Sequence, residues 1–229
     1  MGVTEQLLEV RRRIERAARE ASRDPASVAL LAVSKGHPAD RLREAYAAGQ
    51  RLFGENYAQE LAGKAGELAD LADMVFHFIG HLQRNKVKDV VRSARVIETV
   101  DRIELATEIE KRASSVIEVL LEVNVGGEEQ KAGCAPGEVA DLLRSVAALP
   151  KLRVIGLMTI PPANDDAEAS RPHFAKLRTI AAELRAGGLD PGPHLSMGMS
   201  HDFEVAIAEG ATLVRVGTAI FGARPVREA

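Results

Sequence analysis

The sequence predicts one domain over residues 1–229, a (β/α)8 TIM barrel with an extra helix at its amino end. Three observations lead there. Short apolar runs recur eight times along the chain, several of them bounded by Gly, Pro or polar residues. Each of the first seven is followed by a segment of helical composition. No linker, low-complexity stretch or internal sequence repeat divides the chain. Regular alternation implies parallel strands joined by crossover helices, and eight such units in about 200 residues fit a barrel at the small end of its range. An open doubly wound sheet is the alternative for the same alternation.

The elements follow in order. Residues 4–21 place Leu7, Leu8, Ile14, Ala17 and Ala18 at helical spacing, with Thr4 as N-cap and Arg11, Arg12, Arg13 and Arg16 on a solvated face. VALLAVSK (28–35) is a strand buried on both faces, ended by Gly36 and Pro38. Pro38 opens a helix running to Ala48, before Gly49. RLFGEN (51–56) is a short strand and turn, and 57–71 a helix weakened by Gly63 and Gly66. VFHFIG (75–80) is followed by a basic helix over 85–94. VIETV (96–100) precedes a helix capped by Asp101, and VIEVLLEVNV (116–125) is a long strand. GGEEQKAG (126–133) is a glycine-bounded loop with the makings of a mobile cover. A helix over 137–148 and the strand LRVIGLMTI (152–160) come next. After the polar loop PPANDDAEAS come a helix over 171–186, the strand HLSMGMS (194–200), a helix from Asp202 to Glu209 and the last strand, TLVRVGT (212–218).

Composition narrows the function classes. Hydrophobic residues make up 46% and charged residues 28% of the chain, as in a soluble globular protein. A net charge of -3 gives no electrostatic reason for nucleic acid or an anionic membrane, and 3% aromatics with no Trp argue against base stacking. No stretch reaches the roughly 18 apolar residues of a membrane span. The amphipathic amino terminus lacks an apolar signal core, so a cytoplasmic protein is expected. Cys134 is the only cysteine, reads as a spectator thiol in a polar loop, and excludes an intrachain disulfide.

The chemistry centres on Lys35. At period two it shares a face with Ala29, Leu31 and Val33, so the ammonium emerges from the carboxyl end of a buried strand on its apolar side. Partial desolvation lowers a lysine pKa, as a Schiff-base lysine requires. The plainer reading is a strand-end lysine that snorkels to water. Arg215 sits inside an apolar strand in phase with Leu213 and Gly217, which is costly without a partner or a ligand. SMGMS and VGTAIFG end strands seven and eight, the frequent phosphate site of this fold. Ser200, Gly217 and Thr218 can hold a phosphate there, with Asp202 opening the next helix.

Other constellations are weaker. His77 and His81 lack a helical HExxH context for zinc, and no G-x-S-x-G elbow is present. Arg84, Lys86, Lys88, Arg92 and Arg95 read as one solvated helix face. A lysine, an interior arginine and a phosphate cradle together require a ligand with a carbonyl at one end and a phosphate at the other. Pyridoxal 5′-phosphate and a phosphosugar both meet that requirement.

The stretches AVSKGHP, FGENYAQE, FHFIGHLQRNK, EVNVGGEEQKAG, GLMTIPP and LSMGMSHDFEVAIAEGATLVRVGTAIFG resemble the pyridoxal phosphate homeostasis protein family. These are the short relatives of the amino-terminal barrel of alanine racemase. The resemblance covers residues 31–224 and implies a fold-type III barrel with pyridoxal 5′-phosphate linked to Lys35. It implies Arg215 at the pyridine nitrogen, and Ser200, Gly217 and Thr218 with the Met199 backbone at the phosphate. Asn56 and Met197 would lie near the ring. Gly36-His37 departs from the family, where Thr commonly follows the lysine.

An arginine donates only, so it leaves the ring nitrogen neutral and weakens the electron sink. No second acid–base group is evident: Tyr46 lies in the first crossover helix and Tyr57 just after strand two. The expectation is a non-catalytic cofactor carrier, with pyridoxal-dependent apo-enzymes as candidate recipients. A slow racemase-like enzyme and a cofactor-free lysine aldolase are the other readings. The sequence leaves monomer or dimer open.

Overall fold

The computed structural model describes residues 2–128 and 130–223; Glu129 of the 126–133 loop, and Arg224 at the end of the stretch that carries the family resemblance, lie outside them. Eight parallel strands close in sequence order, β1 pairing with both β2 and β8. They are β1 (Ala29–Val33), β2 (Leu52–Glu55), β3 (Val75–Phe78), β4 (Val96–Val100), β5 (Ile117–Glu122), β6 (Leu152–Met158), β7 (His194–Ser196) and β8 (Leu213–Val216). The helices are α1 (Val3–Glu20), α2 (Ala39–Ala47), α3 (Ala58–Glu67), α4 (Val87–Ser93), α5 (Ile103–Arg112), α6 (Val139–Ala147), α7 (Arg171–Ala186), α8 (Phe203–Ala208) and α9 (Thr218–Phe221).

The barrel and every predicted strand are present, but the strands stop earlier than the apolar runs suggest. β1 ends at Val33 and β7 at Ser196, so Lys35 and the residues from Met197 on stand in the turns beyond. Helix starts moved too. Gly2 rather than Thr4 caps α1, and Arg102 rather than Asp101 caps α5, with Asp101 pairing to Arg102 at 2.6 Å instead. α3 stops at Glu67, near the two glycines that weaken it.

Alternation divides the strand residues into two shells. Leu30, Ala32, Phe53, Val214 and Val216 pack outward into the cluster that holds the helices. Leu31, Val33, Ile79 and Leu213 form one separate cluster inside the barrel, and Val96, Leu120 and Met158 another. Two steps further along the same register, the interior turns polar: Glu98 follows Val96, Glu122 follows Leu120 and Arg215 follows Leu213. Gly54 keeps the apolar layer open, since a Cβ there would stand 3.1 Å from Leu31 and from Ile79.

The eighth crossover is one turn long, and α1 covers for it. Its stripe of Val3, Leu7, Val10, Ile14, Ala17 and Ala18 is buried, and it packs on α2, α8 and α9. The predicted solvated arginine face holds only for Arg12 and Arg16. Arg13 pairs with Glu204 at 2.6 Å and lies over the Phe203 ring, and Arg11 donates to Ala48 O and Gln50 Oε1. These contacts pin the helix to its neighbours. Cys134 is buried, and burial pushes its thiol up to about 12.

Candidate active site at the carboxyl ends of the strands

Lys35 occupies a braced turn. Ser34 N–H donates to Gly54 O, His37 N–H donates to Ser34 O, and Gly36 takes φ 77°, a conformation that favours glycine. Below the turn lies a buried ionic network that sequence reading missed. Ser34 Oγ donates to Glu55 Oε1 at 2.6 Å, and Lys64 Nζ donates to the same oxygen at 2.6 Å and to Ser34 O at 2.8 Å. Glu60 accepts from Gly36 N–H at 2.8 Å. Burial lifts the Glu55 carboxyl above the usual range, although Lys64 and Ser34 oppose it. The backbone on either side of Lys35 is thus fixed by charge-assisted bonds from β2 and α3. Lys35 itself is half-buried, two residues past the interior-facing Val33.

Arg215 is the second anchor. Its guanidinium is buried, donating from Nη1 to Ser196 Oγ at 2.7 Å and from Nη2 to Thr159 O at 2.8 Å. Ser196 Oγ passes its own proton to Glu98 Oε2 at 2.5 Å, and the other Glu98 oxygen meets His77 Nδ1 at 2.6 Å. One hydroxyl can accept and donate at once, so Glu98 balances the arginine through Ser196. Burial alone would raise the Glu98 carboxyl, but His77, Arg215 and Ser196 outweigh it and hold it below the ordinary range. Burial also pulls the arginine pKa down, against Glu98, Glu122 and Asp202. A partner therefore exists for the charge that the sequence left unexplained. Glu98 was not signalled because VIETV reads as an ordinary strand, and its facing is decided only by closure.

The residues expected to hold an anion stand on the two loops after β7 and β8. Gly217 N–H donates to Ser200 Oγ at 3.3 Å, which ties the loops after β7 and β8 together. Gly217 also packs close to β1: a Cβ would stand 3.1 Å from Val33 O. Thr218 is exposed as the first residue of α9. Met199 N–H is held by Asp202 Oδ1 at 2.7 Å, which shapes the turn but occupies the donor expected to face an anion. Ser170 Oγ fixes the other Asp202 oxygen at 2.9 Å. Met197, the first residue past β7, is fully buried and packs in the cluster that also holds the helices.

Across the mouth from this cradle lies a cavity of about 270 Å³. Its wall includes Asn56, Gly80, Thr99 and Glu122 with Lys131 from the 126–133 loop. Asn56 Oδ1 is buried there without a hydrogen-bond partner among the described residues. Gly80 is needed for the close approach of two loops, as a Cβ would collide with Asn56 O at 2.0 Å. Of the basic cluster, Arg84 and Arg95 are exposed and reach Glu108 and Glu118 at 3.8 and 4.0 Å, whereas Lys86 is half-buried in the wall of a cavity beside Asn56 and His81.

The sequence model of the alanine racemase N-terminal domain matches residues 6–225. A pyridoxal phosphate homeostasis protein of Aquifex aeolicus is 48% identical over 227 residues, covering 98% of this chain and 99% of the relative. The PipY structure of Synechococcus elongatus with pyridoxal phosphate bound has a TM-score of 0.84 at 39% identity, covering 96% of this chain and 100% of the other. An unknown protein of Bifidobacterium adolescentis has a TM-score of 0.88 at 39% identity, covering 96% and 94%. Similarity at this level over nearly the full length of both chains places the chain in the pyridoxal phosphate homeostasis protein family.

Proposed function

We propose that this chain, as a single domain, binds pyridoxal 5′-phosphate through Lys35 and holds it for release to recipient apo-enzymes. The observation that carries this reading is the pairing of a braced, half-buried Lys35 with a buried Arg215 and a Ser200–Gly217 cradle around one barrel mouth. The residues fit the group. The unpartnered Asn56 oxygen lines a cavity at the mouth, and the Gly217–Ser200 hydrogen bond sets an exchangeable backbone donor and a hydroxyl side by side, as an anion site needs. Bound there, the cofactor supplies a reactive carbonyl carbon at one end and a phosphate at the other.

Each residue then has a task. Lys35 provides the amine, on a turn that Lys64, Glu55 and Glu60 keep rigid. Arg215, propped by Ser196 and Thr159, offers its remaining N–H groups to the ring nitrogen and leaves that nitrogen without a proton. Ser200, Gly217 and Thr218 bind the phosphate, with Asp202 setting the Met199 turn. Asn56 positions the ring edge. A donor-only partner at the ring nitrogen suits a carrier better than a carbanion-forming enzyme.

The test is absorption and mass of the purified protein before and after borohydride. We expect a yellow protein that bleaches, with the added mass on Lys35, and a Lys35→Ala variant that takes no label. A normal yellow spectrum in Lys35→Ala overturns the reading.

A further inference from the structure

Glu122 ends β5 on the barrel-facing register, two residues after Leu120. It is 6% exposed, and its carboxyl forms no hydrogen bond or ion pair among the described residues. Its oxygens are not enclosed in the packed interior but open on the cavity, where they meet whatever enters. The charges around it are few. Asp101 follows β4 and is engaged by Arg102, and Arg215 on β8 is engaged by Ser196 and Thr159. Glu98 on β4 is taken by His77 and Ser196. His81 from the β3 end and Lys131 share the cavity, and Met158 on β6 is its apolar neighbour. Burial first and Asp101 second push the carboxyl up to about 7, with Arg215 opposing. A group balanced between its two protonation states at neutral pH is suited to moving protons.

We propose that Glu122 accepts the proton of a primary ammonium entering this cavity and returns it to Lys35, so that the bound carbonyl compound passes from one amine to the other. The proposal rests on Lys35 being the attachment point. The exchange balances. The incoming ammonium loses one proton to the Glu122 carboxylate, and its freed lone pair forms the new C–N bond. As the carbon–nitrogen double bond to Lys35 Nζ breaks, the new nitrogen passes a second proton to Nζ; with the proton returned by Glu122, Lys35 leaves as an ammonium and the new carbon–nitrogen double bond keeps one proton, as the old one did. No oxidant or reductant enters. The ligand class is a primary amine, the shared chemistry of free amino acids and protein lysine side chains.

Two measurements test it. First, the unloaded protein with ¹³C-carboxyl glutamate is titrated by NMR. One glutamate should titrate near neutral pH and be missing in Glu122→Gln; if the missing signal titrates in the ordinary carboxylate range, the proposal is overturned. Second, release of bound pyridoxal phosphate is followed on mixing with alanine or with Nα-acetyl-lysine methylamide. Glu122→Gln should slow release about 100-fold at pH 7.5, and Glu122→Asp should recover most of it. Slowing with one amine identifies the source and slowing with both the class; parental rates with both overturn the proposal. A borohydride label away from Lys35 defeats the attachment reading instead, and the NMR titration still reports on Glu122. Should Glu122→Gln fail to fold, Glu122→Ala carries both measurements.

Discussion

Glu122→Gln isolates one carboxyl whose effect on stability can be worked out in advance. In an unfolded chain a glutamate titrates near its ordinary value of 4.5, whereas in this fold burial carries it up to about 7. Between those values the folded protein holds more protons than the unfolded chain, so stability falls as pH rises through that window. Each unit is worth about 1.4 kcal/mol, so the full window costs the parent about 3 kcal/mol. The group is nearly fully buried, so solvent screening removes little of this. Glutamine has nearly the same shape and cannot ionise. In urea unfolding of the unloaded protein, the variant should match the parent near pH 4.5 and exceed it by about 3 kcal/mol at pH 8, with equal m-values. A difference that does not change with pH, or a parent more stable than the variant at pH 8, refutes the burial argument.

Other perturbations separate the structural from the binding roles. Arg215→Met removes the cation that Glu98 feels through Ser196, and should cost about 3–5 kcal/mol in urea unfolding of the unloaded protein. Adding Glu98→Gln should recover part of that loss; strict additivity would mean the two groups do not interact. Thr218→Val should lower the preference for pyridoxal phosphate over pyridoxal by about tenfold, as loss of one bond to a charged group predicts, measured by equilibrium dialysis. Equal preference in parent and variant removes Thr218 from the cradle. Leu7→Ala should cost about 2–5 kcal/mol, because α1 closes the wall that the one-turn α9 leaves thin. A cost below about 1 kcal/mol would make α1 peripheral.

The eightfold alternation of apolar run and helix is a local property, and the sequence alone determined parallel strands, crossover helices and the extra helix; closure into a barrel rather than an open sheet was decided by the tertiary structure. Lys35 and Arg215 were legible for the same reason. An ammonium at the end of a buried run and a guanidinium within one contradict their surroundings wherever the strands are finally placed. The linked motifs also determined the family. Strand ends were less legible, because an apolar residue such as Met197 suits a strand, a turn or a helix-facing wall equally well.

Only closure of the barrel decided which residues meet. Glu98, His77 and Ser196 lie on three strands far apart in sequence, and they touch because the register turns all three inward. Lys64 reaches the Lys35 turn from the second crossover helix, where its spacing suggests nothing more than a surface lysine. Glu122 is the clearest case. VIEVLLEVNV gives both of its glutamates the same apolar context, yet Glu118, near the amino end of β5, reaches Arg95 and Arg153 while Glu122, at its carboxyl end, lines the cavity at the mouth. Desolvation, and with it proton affinity, depends on what surrounds a side chain in three dimensions, and that information is not carried by its neighbours in the chain.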